Sequence, residues 1–217
     1  MSTLDDLLEA GTAVIADVFD DLGRRPPVLA NDLAPVGDNP GFAGPAYTIA
    51  GRSEAYEGGD RPKLAAIDAM PAGRVAVWGG GDIRGVCCFG DLLASSMRAR
   101  GVTGVVVDGG VRDAAFLEGL DLPILARYRT PAQAIGRWRV TAVEEPVTVR
   151  GAIDDEVTIV PGDTVVADAD GIIVVPAELV ADVASRAIEW ARSEGPARDA
   201  IADGLPLIEA IERYGHL

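Results

Sequence analysis

A strand–helix–strand unit in the middle of the chain constrains the fold more than any other feature. The turn Gly90-Asp91 leads into a helical stretch, Leu92 to Arg100, which is followed by the apolar segment Val105 to Val107. Continuous apolar runs of this length are typical of strands that are buried on both faces. A helix that leads into such a strand, with a further apolar segment at Leu122 to Ala126, favours a βαβ unit.

The segment that follows the central strand, Asp108-Gly109-Gly110-Val111-Arg112-Asp113, is predicted to be a loop. The two glycines indicate that the backbone passes close to another group there. Arg112 and Asp113 would then lie just beyond the carboxyl end of a strand. Ligand sites in α/β folds gather at that position, because the connecting loops meet there.

Helical patterns occupy both ends of the chain. Apolar residues recur at helical spacing from about residue 1 to 22, where Thr12 is predicted to cap a second segment, Ala13 to Leu22. The C-terminal segment, about 177 to 217, is predicted to contain two helices that Gly195-Pro196 separates. A short helix is also predicted to begin at Thr130-Pro131.

The rest of the chain is divided into short strands and turns. Arg24 to Gly44 is predicted to be an irregular connector, Gly51 to Pro62 a mobile loop, and Gly79 to Asp82 a flexible loop. Further strands are expected at these segments: Ala46–Ala50, Arg74–Trp78, Thr148–Val149, Thr158–Ile159, Thr164–Ala167 and Ile172–Val175. We therefore predict one α/β domain over residues 1–217, with a layered core covered by helices.

Composition excludes several classes of function. The net charge is −15 and Lys63 is the only lysine, so binding to nucleic acid or to an anionic membrane is not expected. No apolar run approaches the roughly 20 residues of a membrane span, and the acidic N-terminus does not resemble a signal peptide. The adjacent Cys87 and Cys88 are expected to be buried apolar residues, which fits a reducing cytoplasm. The only histidine, His216, is expected to have no catalytic role.

The helix start at Gly90-Asp91 is a candidate anion site. Free N–H groups at a helix N-terminus favour negative charge, so the amides of Leu92 and Leu93 are expected to hold a carboxylate. The Arg112 guanidinium would grip the same ligand through a two-pronged contact. The ligand that fits this arrangement is a small 2-oxo acid.

Acidic residues at the same site predict a divalent cation. One carboxylate and several waters suffice to hold Mg²⁺ or Mn²⁺, and Asp113 is the candidate ligand, whereas Asp91 would orient Arg112 or lie behind it. A bound cation would polarise the carbonyl of the 2-oxo acid and stabilise an enolate. A surface ion pair between Arg112 and Asp113 is the alternative interpretation of these residue types.

The spacing of these residues resembles a known family. Twenty residues, 92 to 111, separate Asp91 from Arg112-Asp113. This pattern resembles the family that holds the class II pyruvate aldolases acting on 4-hydroxy-4-methyl-2-oxoglutarate and the RraA-type regulators of ribonuclease E. Similar flanking motifs are Gly90–Ala94, Val107–Val111, Gly44–Thr48, Pro161–Asp163 and Ala167–Pro176.

The resemblance implies a layered β/β/α, swivelling-domain-like core and a homotrimer, or a dimer of trimers, with sites between subunits. It implies that Asp113 binds the metal, that Arg112 and Asp91 are catalytic, and that Gly90, Leu92, Leu93 and Arg112 bind the substrate. The implied reactions are retro-aldol cleavage of 4-hydroxy-2-oxo acids to pyruvate and decarboxylation of oxaloacetate, both through a metal-stabilised enolate.

One departure from the aldolase pattern leaves open the alternative that this protein is a non-enzymatic regulator. Aldolase-type members carry another acid shortly after Arg-Asp, but here Asp113 is followed by Ala114-Ala115-Phe116, and Glu118 is the next acid. The missing group would have to come from a neighbouring subunit, from Glu178 or from an acid of the N-terminal helix. A non-enzymatic protein that binds ribonuclease E or another partner is the alternative, and its negative charge would suit a basic surface.

Overall fold

The fold is built from six helices and eleven strands within the described residues. The computed structural model describes residues 2–38, 41–79 and 83–214, so His216 and positions 80–82 of the predicted flexible loop lie outside them. In chain order the elements are α1 (Thr3–Asp21), β1 (Ala34–Pro35), β2 (Phe42–Ser53), α2 (Arg61–Ala69), β3 (Val75–Gly79), β4 (Cys87–Phe89), α3 (Asp91–Ala99), β5 (Gly104–Val111), α4 (Ala114–Glu118), β6 (Ile124–Arg129), β7 (Trp138–Val143), β8 (Val147–Arg150), β9 (Glu156–Ile159), β10 (Thr164–Ala167), β11 (Ile172–Val175), α5 (Val180–Ala202) and α6 (Leu207–Tyr214).

A nine-stranded sheet organises the molecule. Its centre is parallel, because β2, β3, β5 and β6 run in one direction and β4 joins β5 in the same sense. The long strand β2 carries the antiparallel part, since its first residues pair with β10 and its last ones with β7. Strands β8 and β9 form a separate hairpin. This mixture lets the sheet curl around its own apolar interior.

Three apolar clusters define the layers. One lies between the parallel strands and α2 and α3. A second lies between the other face of those strands, the β8–β9 hairpin and the inner faces of β10 and β11. A third joins the outer faces of β10 and β11 to α1 and α5. The predicted α/β class, its layered β/β/α core and its flanking helices at both ends are confirmed.

Alternation along the strands produces these layers. Val105 and Val107 point into the first cluster, whereas Val106 between them points into the second. In β10, Val165 belongs to the second cluster and Val166 to the third. Side chains of a strand alternate between its faces, so an unbroken apolar run fills two layers at once.

The central strand is longer than the sequence predicts. It covers Gly104–Val111, so the segment from Asp108 to Val111 is strand and the predicted loop there is wrong. A Cβ on Gly109 would lie 2.8 Å from the Ile83 side chain, and one on Gly110 would lie 2.4 Å from the Tyr128 ring. The glycines therefore admit neighbouring side chains. Arg112 and Asp113 still follow the end of the strand, as predicted.

The N-terminal helix is kinked where the sequence predicts a new segment. Gly11 has φ +86° and ψ 160°, outside the helical region. The Thr12 N–H and hydroxyl both donate to the Asp168 carboxylate, each at 2.7 Å. The cap of the second segment is therefore Asp168, which reaches it from the β10–β11 turn, and not the Thr12 side chain.

Three other local predictions are wrong. Helix α5 continues through Gly195 and Pro196 because tertiary packing of the following Ala197 overrides proline's local preference. No helix begins at Thr130-Pro131, since the Thr130 hydroxyl donates to the Gly85 carbonyl and the chain runs on beside β4. Strand β2 extends through Ser53 into the predicted mobile loop because β7 pairs with it there. None of the described helices is long and apolar enough to cross a membrane.

Candidate active site

A cavity lies where the parallel strands β4 and β5 end. Its volume is about 230 Å³. Both α3 and the Arg112-Asp113 segment begin at the carboxyl ends of these strands, which brings segments that are distant in sequence to one edge of the sheet. The residues that line it are Lys63, Leu64, Cys87, Cys88, Phe89, Gly90, Asp91, Leu92, Leu93, Arg112, Gln133, Ala134 and Ile135.

Gly90 allows the two halves of the site to approach each other. It precedes the first residue of α3 in extended conformation. A Cβ at this position would lie 2.7 Å from Oδ2 of Asp113 and 3.1 Å from Cγ of Arg112. Because a Cβ essentially never lies within 3.0 Å of another heavy atom, any other residue would push the Asp113 carboxylate away from the helix and would crowd Arg112.

Asp113 is held in a rare backbone conformation. Its φ of 58° and ψ of 36° are left-handed, a region that Asp tolerates better than most residues. Oδ2 accepts the Asp91 N–H at 3.4 Å and forms an ion pair with Nε of Arg112 at 3.2 Å. Strained backbone of this kind is concentrated at functional sites. The carboxylate remains partly open to solvent.

Arg112 has hydrogen-bond donors that none of the described residues uses. Only Nε is used within the described residues, where it pairs with Asp113. The two terminal nitrogens are left for a ligand, and Arg112 lines the cavity. A guanidinium group that is fixed through Nε can still bind a carboxylate through two parallel hydrogen bonds.

A side chain of α3 itself accepts one of the free N–H groups at the helix N-terminus. Oδ1 of Asp91 accepts the Leu92 N–H at 2.7 Å, whereas the Leu93 N–H has no acceptor among the described residues. A ligand carboxylate would therefore find one amide free and would replace Asp91 at the other. The structure pairs Arg112 with Asp113, so Asp91 acts on the helix end and not on the arginine.

The cysteines form the floor of the cavity, on β4. Both are free and buried, as predicted. Burial raises the pKa of Cys88 to about 12. Burial also raises the pKa of Cys87, and the nearby Arg112 and Lys63 cations oppose this rise. A thiol with a raised pKa is a poor nucleophile at neutral pH, so neither cysteine fits a covalent mechanism.

The sequence did not predict all the residues that line the cavity. Lys63 from α2 and the segment Gln133 to Ile135 contribute to the cavity, but no local motif surrounds them. The one available signal was composition, since a single lysine in a chain rich in arginine is unusual. Glu118, the next acid after Asp113, is not among the lining residues; its Oε1 pairs with Nη1 of Arg129 at 2.7 Å.

These features define a class of site. The partly satisfied N-terminus of α3 and Arg112 line a small cavity at the end of parallel strands. The partly exposed carboxylate of Asp113 lies beside them, paired with Arg112. Such a site suits a small organic acid, and the carboxylate suits a hard cation. Within the described residues no three His, Cys, Asp or Glu side chains cluster as a metal cage would require.

Comparison with known proteins identifies the family. Residues 12–174 match the family model RraA-like (Aldolase/RraA), and the chain belongs to this family. The resemblance inferred from Asp91 and Arg112-Asp113 is thereby confirmed.

The relatives differ in the activities that their names describe. A Halalkalibacterium halodurans protein, provisionally named a 4-hydroxy-4-methyl-2-oxoglutarate aldolase, is 29% identical over 94% of this chain and 91% of its own length. Protein DlpA of Legionella pneumophila is also 29% identical, over 97% of this chain, but the chain spans only 33% of its length. The crystal structure of Streptomyces coelicolor RraAS2, described as an unusual member of the RNase ES inhibitor RraA protein family, superposes with a TM-score of 0.78 at 26% identity. The match covers 90% of this chain and 95% of that one.

Proposed function

We propose that this protein is a divalent-metal-dependent lyase that cleaves 4-hydroxy-2-oxo acids, of the 4-hydroxy-4-methyl-2-oxoglutarate type, to pyruvate and also decarboxylates oxaloacetate. The observation that carries the proposal is the meeting of Arg112 and the α3 N-terminus at one cavity, with the Asp113 carboxylate beside it and paired with Arg112. The aldolase name of the Halalkalibacterium relative supports it.

The residues present fit Mg²⁺ or Mn²⁺. Asp113 would hold the cation through its carboxylate, with waters completing the shell, as Mg²⁺ commonly requires. Because Asp113 is partly exposed and its contacts with the described residues use only Oδ2, Oδ1 is left for a further ligand. When bound, the cation would act as a Lewis acid on the 2-oxo carbonyl.

The chain's own residues supply binding and orientation. The Leu93 and Leu92 amides would hold the substrate carboxylate, and Arg112 would bridge the carboxylate and the 2-oxo oxygen. In the cleavage, the 4-hydroxyl group gives up its proton and becomes the carbonyl of the departing fragment, while the electron pair of the C3–C4 bond stays on the pyruvyl fragment as an enolate. The positive charge of Arg112 would stabilise this developing negative charge until the enolate takes up a proton to give pyruvate. Asp91, released from the Leu92 amide, would lie beside the reacting atoms as an acid–base group.

We further propose a homotrimer with the cavity at the subunit interface. Leu92 is 78% exposed, and Leu64 and Ile135 on the same rim are also exposed. Exposed apolar side chains gathered around a site are typical of a surface that another protein covers. A neighbouring subunit in that position would exclude water and could donate the acid that the segment after Asp113 lacks.

Turnover tests the proposed reaction directly. We expect pyruvate release from 4-hydroxy-4-methyl-2-oxoglutarate and from oxaloacetate to require Mg²⁺ or Mn²⁺ and to stop on addition of a chelator. Asp113→Asn and Arg112→Met should each lose at least about a hundredfold in kcat/KM. Arg61→Met, on the solvent side of α2, is the matched control. Metal-independent turnover, or full activity in both site variants, would refute the proposal.

A regulatory function is the second candidate, and one contact favours it. Glu118 is engaged by Arg129 outside the cavity, so a single subunit lacks the expected acid. The Streptomyces neighbour RraAS2 is described as a member of an RNase ES inhibitor family. If no turnover is found, co-purification from the native host at moderate salt should recover a ribonuclease or another partner with a basic surface.

A further inference from the structure

The only lysine of the chain lies in the cavity. Lys63 belongs to the first turn of α2, and its side chain is only 9% exposed. Lysine is rarely buried unless it is paired, because removing an ammonium group from water is costly. The sequence otherwise uses arginine for positive charge. A buried lysine beside a ligand cavity therefore needs a reason.

The local contacts fix Lys63 but do not satisfy its hydrogen-bond donors. Asp60, whose side chain is 3% exposed, lies 3.6 Å from Nζ, which is an ion pair beyond hydrogen-bond distance. The Asp60 oxygens instead accept the backbone N–H groups of Lys63 and Val140, at 3.2 and 3.3 Å. The ammonium also lies 5.8 Å from the centre of the Trp138 ring. The ammonium group is thus held in place, while the described residues provide no acceptor within hydrogen-bond distance of Nζ.

Lys63 and Arg112 bring two positively charged groups to the same cavity. Both line the cavity of about 230 Å³. Both also counter the rise in the pKa of the Cys87 thiol on the cavity floor, which indicates that each cation lies within electrostatic reach of this floor. Two positive groups in one small cavity suit a ligand with two negative groups.

We propose that Lys63 binds the second carboxylate of the substrate, so that the site selects dicarboxylic over monocarboxylic 2-oxo acids. In this arrangement Arg112 and the α3 amides hold the 2-oxo acid end, and Lys63 donates to the distal carboxylate. Lys63 is then a specificity-determining residue that takes no part in bond cleavage. The inference rests on the proposed binding of a 2-oxo acid in this cavity.

A matched ligand pair isolates the second carboxylate. 2-Oxoglutarate and 2-oxopentanoate have the same chain length and the same 2-oxo acid end, and neither carries the 4-hydroxyl group needed for cleavage. We would measure the Kd of both by titration calorimetry with Mg²⁺ for the natural chain, Lys63→Met, Lys63→Arg and the control Arg61→Met. A charge-assisted hydrogen bond implies a preference for the diacid of roughly tenfold to a hundredfold.

The outcomes separate this inference from the proposed function. Loss of the preference in Lys63→Met, its partial return in Lys63→Arg and an unchanged 2-oxopentanoate Kd would support the role of Lys63. Equal affinity for the two ligands in the natural chain, or a preference that survives Lys63→Met, would overturn it and leave the 2-oxo acid site intact. Failure of both ligands to bind would refute the proposed function and this inference with it.

A second measurement needs no variant, so it remains valid if Lys63→Met does not fold. Because Lys63 is the only lysine, its side chain and the N-terminus are the only primary amines that an acetylating reagent can modify. Mass spectrometry should show that 2-oxoglutarate slows acetylation of Lys63 at least several-fold more than 2-oxopentanoate does, with the N-terminus as internal reference. Equal protection by the two acids would contradict direct contact.

Discussion

At the scale of single residues, the candidate site depends on one close approach. Gly90 and Asp113 come from different segments, and the absence of a side chain at the first lets the carboxylate of the second reach the α3 N-terminus. The left-handed backbone of Asp113 then turns the chain into α4. Local strain here is maintained by the strand before it and the helix after it.

Replacing Gly90 with alanine should damage binding more than stability. The new Cβ would displace Asp113 and Arg112, whereas the extended backbone at Gly90 accepts alanine without strain. We expect the 2-oxoglutarate Kd with Mg²⁺ to rise at least about tenfold, and the free energy of unfolding to change by about 1 kcal/mol or less. Gly59→Ala, with nothing within 4 Å of its Cβ, is the control. An unchanged Kd would contradict the steric role of Gly90.

Cys88 should make the stability depend on pH in the alkaline range. Burial raises the pKa of its thiol from 9.0 to about 12 in the folded protein. The unfolded chain therefore loses this proton first, so the stabilising contribution is complete below pH 9 and is lost as the pH rises from 9 towards 12, by about 1.4 kcal/mol per unit.

Chemical denaturation of the natural chain and of Cys88→Ala measures this contribution. The variant should be less stable at pH 7.5 because it loses buried packing. The difference between the two proteins should shrink by roughly 2 kcal/mol at pH 10.5. A difference that stays constant with pH would show that ionisation of Cys88 does not affect folding.

At the scale of helices and strands, tertiary contacts decide where elements end. Helix α1 changes direction at Gly11, where a carboxylate from the β10–β11 turn serves as the cap. Helix α5 passes through Pro196 and stops near Gly204, whose φ of +99° suits a left-handed helix end. Proline marks a probable end of a helix, but burial of the next residue, Ala197, outweighs it.

Pro196→Ala should therefore stabilise the protein. Pro196 is exposed and lies inside α5, so alanine removes a ring clash and restores a backbone donor at little cost in packing. We expect the free energy of unfolding to increase by about 1–3 kcal/mol, measured by chemical denaturation. Unchanged or reduced stability would mean that α5 does not form a regular helix through this position in solution.

At the scale of the whole molecule, the layers bury the two faces of the curled sheet but leave the cavity rim apolar. The three clusters account for the interior, whereas Leu64, Leu92 and Ile135 remain exposed around the site. A subunit that covers this rim would complete the site and explain its exposed side chains.

Leu92→Glu tests the proposed trimer. The natural chain should have three times the mass of a single chain in light scattering after size exclusion, and the variant should dissociate because a carboxylate would be buried in the interface. Ile153→Glu, at an exposed apolar position in the β8–β9 turn, is the matched control. A monomeric natural chain would exclude the trimer.

Much of the site was predictable because its residues are close in sequence to the unit that positions them. The helix start at Gly90 and the strand before Arg112 are encoded locally, and a βαβ connection brings both to one sheet edge. The self-capping of Leu92 by Asp91 and the pairing of Arg112 with Asp113 were not predictable, because these residue types permit several pairings.

The sequence by itself determined the α/β class, the helices at both ends, the short strands of the second half and the family. These follow from apolar periodicity and from motifs within short segments, where local steric and solvation effects dominate. Only the tertiary structure decided the lengths of β2, β5 and α5, and the position of Lys63 in the cavity. Those features depend on strand pairing and burial between segments that are far apart in the chain. A local sequence pattern contains no information about such contacts.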